Sequence, residues 1–146
     1  MRELVLALAI ILVSGCVSEP PANETDRLES CLIACNDSFT PNGYVTCKAA
    51  CYTNDAEEHL EAGRCGAISR MEEFKALGTN STFWYVTCVG NVALRKRDAL
   101  ACSKIPPGID QDVCIAGVAE STGNPAICNG INNSMVKEAC VADATG

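Results

Sequence analysis

Cys31, Cys35, Cys47 and Cys51 form two Cys-x3-Cys pairs on either side of the segment 36–43. Residues i and i+4 share one face of a helix, so each pair points two sulfurs the same way. Two chemistries use that arrangement. Four thiolates suit a tetrahedral zinc site. Oxidised, the same four sulfurs form two disulfides between neighbouring helices. The usual Cys-x2-Cys zinc spacing is missing, as are Cys-x2-Cys redox and Cys-x2-Cys-His haem motifs.

Other reactive groups are sparse. His59 is the only histidine, inside Asp55-Ala56-Glu57-Glu58-His59-Leu60-Glu61. Its neighbours are those of a solvated helix face, and no Gly-x-Ser-x-Gly elbow accompanies it. No catalytic residue, resident metal or cofactor is expected, and the chain is read as a non-enzyme. Phe83-Trp84-Tyr85 is the one local concentration of aromatics. Consecutive helical residues diverge by about 100°, so the three cannot all enter one core. At least one is expected at the surface, where Phe83, Trp84 and Tyr85 form a candidate partner patch. Four Asn-X-Ser/Thr sequons, at Asn23, Asn36, Asn80 and Asn132, are candidate glycosylation sites.

The elements that position these residues are themselves marked by cysteine. From Cys88 onward the steps between cysteines run 14, 12, 14, 12, through Cys102, Cys114, Cys128 and Cys140. The steps Cys35 to Cys47 and Cys51 to Cys65 are also 12 and 14. A period of 26 marks a repeated supersecondary unit. One cysteine class carries isoleucine at +3: Cys65/Ile68, Cys102/Ile105 and Cys128/Ile131. The other class (Cys88, Cys114, Cys140) starts an Ala/Val-rich helix. Tyr-Val-Thr-Cys at 44–47 and 85–88 suggests a degenerate further copy. Gly78, Pro106-Pro107-Gly108 and Gly123-Asn124-Pro125 punctuate the helices. The fold class expected is all-α, an array of short antiparallel helical hairpins stapled by disulfides.

Helical geometry narrows the pairing, because bridged Cα atoms lie within about 7 Å. Cys102 lies four residues before Pro106 and Cys114 six after Gly108, at nearly matching heights above the turn. Cys114 and Cys128 are staggered about theirs. Cys102–Cys114, Cys128–Cys140 and, by analogy, Cys65–Cys88 follow. The two i,i+4 pairs nest on antiparallel helices as Cys31–Cys51 and Cys35–Cys47. This first segment resembles the twin Cys-x3-Cys hairpins of small disulfide peptides, including plant helical-hairpin inhibitors. The resemblance implies a protease-inhibitor alternative, for which Phe39 in the turn around Pro41-Asn42-Gly43 would suit a chymotrypsin-like pocket. A metal-binding alternative rests on the same Cys-x3-Cys pairs.

The eleventh cysteine, Cys16, stands apart. Leu4 to Val13 is an unbroken apolar run, too short to span a bilayer, with Arg2 before it and small residues after. Val13-Ser14-Gly15-Cys16 resembles the lipobox of prokaryotic lipoproteins. That resemblance implies cleavage before Cys16 and a diacylglyceryl thioether on it, two acyl chains being enough for stable anchoring. Removing Cys16 from the count leaves ten cysteines, an even number.

The expected organisation is a signal peptide at 1–15, a lipidated N-terminus and tether at 16–29, and a cysteine-rich domain at 30–146. Within that domain a doubly stapled hairpin covers 30–62 and hairpin repeats cover 63–146. The formal charge of −7 disfavours nucleic acid and anionic lipid as partners. Few aromatics and many disulfides describe a small extracytoplasmic domain. The functional expectation is a cell-membrane protein, lipid-anchored through Cys16 and facing outward. Its role would be non-catalytic binding of a protein or glycan, or envelope structure.

Overall fold

The computed structural model describes residues 24–37 and 40–146, and Cys16, Asn23 and Phe39 lie outside them. The chain is all-α, with no strand among the described residues. Among the described residues seven α-helices follow in order: α1 (Glu24–Ala34), α2 (Pro41–His59), α3 (Gly66–Ser69), α4 (Glu72–Ala76), α5 (Ser81–Lys96), α6 (Ile109–Thr122) and α7 (Ser134–Thr145). Short 3-10 segments lie at Cys35–Asp37, Ala62–Cys65, Ala99–Lys104 and Pro125–Gly130.

Helix α1 begins inside the stretch expected to be tether. Leu28, Cys31, Leu32 and Cys35 follow an i, i+3, i+4, i+7 stripe. That stripe gives residues 24–29 a helix to extend. Pro41-Asn42-Gly43, expected in the turn, instead forms the first turn of α2. Thr40 caps that helix, its Oγ1 accepting from the Gly43 N–H at 3.0 Å. Pro41 occupies a first-turn position, where its missing N–H costs nothing.

The repeat is keyed to left-handed residues that end three helices. Leu60 (φ 54°), Arg97 (φ 54°) and Gly123 (φ 60°) close α2, α5 and α6. Four residues before each lies a fully buried alanine: Ala56, Ala93 or Ala119. Its carbonyl accepts the N–H of the residue after the cap, Glu61, Asp98 or Asn124, at 3.0 Å in each case. This is the Schellman pattern, and it satisfies carbonyls that a helix end would otherwise orphan. Asp98 and Asn124 then cap the 3-10 limb that follows, accepting from the Leu100 and Ala126 N–H groups.

Five residues past each left-handed cap is a buried cysteine (Cys65, Cys102, Cys128), and eight past it a buried isoleucine (Ile68, Ile105, Ile131). The +3 spacing has a physical cause. Side chains at i and i+3 eclipse on a 3-10 helix, so cysteine and isoleucine both turn inward. Cys128 and Ile131 share one cluster, Cys65 shares the main core with Ile68 at the start of α3, and Cys102 and Ile105 enter neighbouring clusters. The return limb of each hairpin is therefore a 3-10 segment rather than a second α-helix. Cys88, Cys114 and Cys140 do not start their helices; they lie one to two turns inside α5, α6 and α7.

The staples form as the spacing predicts: Cys31–Cys51, Cys35–Cys47, Cys65–Cys88, Cys102–Cys114 and Cys128–Cys140, with Cα separations of 5.6 to 5.9 Å. Cys102–Cys114 and Cys128–Cys140 each tie a return limb to the next α-helix, and Cys65–Cys88 ties its limb to α5, past α3 and α4. Counting from the left-handed caps, Cys51 and not Cys47 occupies the position of Cys88 and Cys114, nine residues upstream. The shared Tyr-Val-Thr-Cys is thus out of structural register by one helical turn.

Between Cys65 and Cys88 the repeat is interrupted by α3 and α4. Ile68 of α3, Met71 just before α4 and Phe74 of α4 enter the main core with Val45, Ala49 and Ala56 of α2 and Val89 and Val92 of α5. Segments 30–62 and 63–146 therefore share one core. Smaller clusters follow around Ala93, Cys102 and Val118, then around Ala119, Cys128, Ile131, Cys140 and Ala144.

Candidate functional site

Three places carry the side chains that sequence singled out. The first is the α1–α2 hairpin. Cys35 and Cys51 are buried, whereas Cys31 and Cys47 are half-buried. Cys35 Sγ lies 3.6 Å from Cys51 Sγ, although each is bonded elsewhere. The sulfurs of Cys35, Cys47 and Cys51 all fall within 4.8 Å of one another. The Arg27 guanidinium pairs with Glu58 across the same hairpin.

The second place is the aromatic triplet at the start of α5. The helical sweep separates the three rings. Phe83 is 66% exposed and meets Trp84 edge-to-face, with ring centroids 5.5 Å apart. Trp84 is half-buried against the main core and lines a small cavity of about 110 Å³ with Val45, Phe74 and Leu77. Tyr85 donates its hydroxyl proton to the Lys104 carbonyl at 2.5 Å, and burial raises its pKa. Only Phe83 is displayed. Trp84 and Tyr85 join α5 to the core and to the return limb Ala99–Lys104.

Sequence reasoning missed what lies beside Phe83. A groove of about 290 Å³ runs between α5 and α6, lined by Val86, Gly90, Leu94, Val113 and Gly117 among others. Leu94, Val113 and, just beyond the groove, Ile109 are 40%, 55% and 53% exposed, so this face concentrates apolar surface. The available signal was the glycines. Gly90 and Gly117 sit inside helices, where glycine costs about 1 kcal/mol relative to alanine. A Cβ on Gly90 would meet nothing within 4 Å.

The third place is the charged face of α2. Asp55 accepts from Arg64 Nη1 at 3.2 Å, and Arg64 Nε donates to Glu61. His59 Nδ1 lies 2.6 Å from the Asp55 carbonyl and 3.5 Å from its carboxylate. Glu57 accepts from Asn91 and Arg95 of α5. Lys48 donates to Glu73 at 2.5 Å; this bond holds the lysine pKa above, and the Glu73 pKa below, their ordinary values. The carboxylates around His59 are thus engaged in tying α2 to its neighbours.

The described sequon asparagines are exposed. Asn80 Oδ1 caps α5 by accepting from the Thr82 N–H. Asn132 precedes α7, and its backbone N–H donates to buried Asp112. No protein-family model, curated protein or solved structure matches this chain.

Proposed function

We propose that this chain is a lipid-anchored extracytoplasmic surface protein acting as a non-catalytic binding or envelope-structural module. The observation that carries the reading is the closure of the cysteine ladder. Ten cysteines pair with one another, and Cys16, the cysteine of the lipobox-like sequence, is the one left over. Five disulfides in a core built mainly of Ala, Val, Ile and Cys favour an oxidising compartment. Phe83 and the adjoining α5–α6 groove are the face we assign to a protein or glycan partner at the cell surface, with the membrane engaged through the lipid on Cys16.

Intact-mass spectrometry of the protein purified from membranes tests the anchor. The expected species begins at Cys16, carries a diacylglyceryl mass, and gains two hydrogens per disulfide on reduction. Cys16→Ser is expected to lose the lipid and leave the membrane fraction with the other ten cysteines still paired. A chain with an unmodified Cys16 would overturn the anchor. Phe83→Ala tests the binding face, because Trp84→Ala would also disturb the core. In-cell crosslinking that is unchanged by Phe83→Ala would remove Phe83 from that role.

A further inference from the structure

We propose that the α1–α2 hairpin has a second, reduced state in which Cys31, Cys35, Cys47 and Cys51 hold a zinc ion. This goes beyond the surface-module reading. Three sulfurs, those of Cys35, Cys47 and Cys51, already lie within 4.8 Å of one another there, and the fourth, Cys31 Sγ, is bonded to Cys51 Sγ. Thiolates around tetrahedral zinc lie about 3.8 Å apart when the zinc–sulfur bonds are about 2.3 Å. Cys35 Sγ and Cys51 Sγ, unbonded to each other, are separated by 3.6 Å. Cys47 Sγ falls within 4.8 Å of both, and Cys31 is one helical turn from Cys35 on the same face.

The hairpin's disulfides are also open to a reductant. Each of its disulfides has one half-buried partner, Cys31 or Cys47. In Cys65–Cys88 and Cys128–Cys140 all four cysteines are 0–2% exposed. Cys102–Cys114 also has a half-buried partner, Cys114, but both of its cysteines pack in a core cluster, whereas none of the hairpin's four does. Opening the hairpin spares the rest of the fold, because none of the three core clusters contains a residue of α1. The core clusters hold α2 to α7 together without it.

The chemistry needs a dithiol reductant. Its thiolate attacks Cys31 Sγ and expels the Cys51 thiolate. Its second thiol then displaces Cys31 and closes a disulfide within the reductant. Two electrons thus pass to the protein, leaving two thiols. The same sequence at Cys47 frees Cys35. Zinc then binds four thiolates, and the four thiol protons leave to solvent.

The test uses the full mature chain. A dithiol is titrated in until four thiols per chain react, and alkylation mapping identifies them. Co²⁺ is then added as a spectroscopic probe, followed by Zn²⁺. The expected result is four thiols at Cys31, Cys35, Cys47 and Cys51. A sulfur-to-cobalt charge-transfer band should saturate at one Co²⁺ per chain and be bleached by one Zn²⁺. Cys35→Ser/Cys51→Ser should lose the band, and Cys102→Ser/Cys114→Ser should keep it. Circular dichroism of each species reports whether the helices persist. Four mapped thiols on a helical chain with no such band would overturn the proposal. So would first reduction at any of the other three disulfides.

Discussion

Asp112 shows how a single side chain adapts the repeat to its neighbour. It is 2% exposed, and its two carboxylate oxygens accept the Asn132 and Asn133 N–H groups at 3.1 and 2.9 Å. Those N–H groups open the turn into α7. In the preceding unit the equivalent residues, counted from the left-handed caps, are Pro106 and Pro107. Proline has no N–H to donate. The helix position matching Asp112 is there Val86, which needs no acceptor partner and lines the groove. The acid is therefore present where the turn has donors and absent where it has none. Asp112→Ala is expected to destabilise the oxidised protein by about 2–3 kcal/mol, since it strips two N–H groups of a charged acceptor. Asp112→Asn, which keeps one acceptor oxygen, should cost roughly half as much. Urea unfolding without reductant measures both, and equal stability of the alanine variant and the parent would refute the assignment.

At the scale of elements, the staples were legible and the limbs they join were not. Cysteine spacing selects pairing because a disulfide tolerates only a narrow range of Cα separation, so matched heights suffice. A six-residue 3-10 limb leaves a weaker trace. Its one signature was the Cys/Ile spacing of three, which an α-helical reading also accepts. The left-handed caps were hidden for a related reason. Only Gly123 has the expected residue type, and Leu60 and Arg97 occupy the same conformation against their intrinsic preference. The α5–α6 groove was invisible because apolar residues at helical spacing read as core, and only packing shows which face stays open. The caps carry a prediction. Leu60→Gly and Arg97→Gly should each stabilise the protein by about 0.5–1 kcal/mol, and Gly123→Ala should destabilise it by a similar amount. Both caps are exposed, so little packing is lost. Thermal unfolding of the three variants checks the signs, and destabilisation by Arg97→Gly would show that its side chain outweighs the backbone conformation.

For the whole molecule, the staples decide how far a local opening spreads. Each successive unit is an α-helix with a 3-10 return, so α5, α6 and α7 start from the same end. Tyr85 bonds Lys104 just before α6, and Asp112 bonds Asn132 and Asn133 just before α7. Such an array has nearest-neighbour contacts and unfolds from its ends. Its cores match that order. The cluster around Cys128 and Cys140 is drawn from α6, its return limb and α7, whereas that around Cys65 and Cys88 reaches from α2 to α5 and to Ile105. Closing loops of 12 and 23 residues stabilises by about 3 kcal/mol each in the chain-entropy account. The two staples are therefore nearly equal in that term and unequal in what they hold. Cys128→Ala/Cys140→Ala should release α7 alone, and its amides should exchange faster in hydrogen–deuterium exchange while α2 and α5 stay protected. Cys65→Ala/Cys88→Ala should lower protection across α2, α5 and α6 together. Identical protection patterns in the two variants would mean that the array unfolds as one cooperative unit, and the staples would then add to global stability without partitioning it.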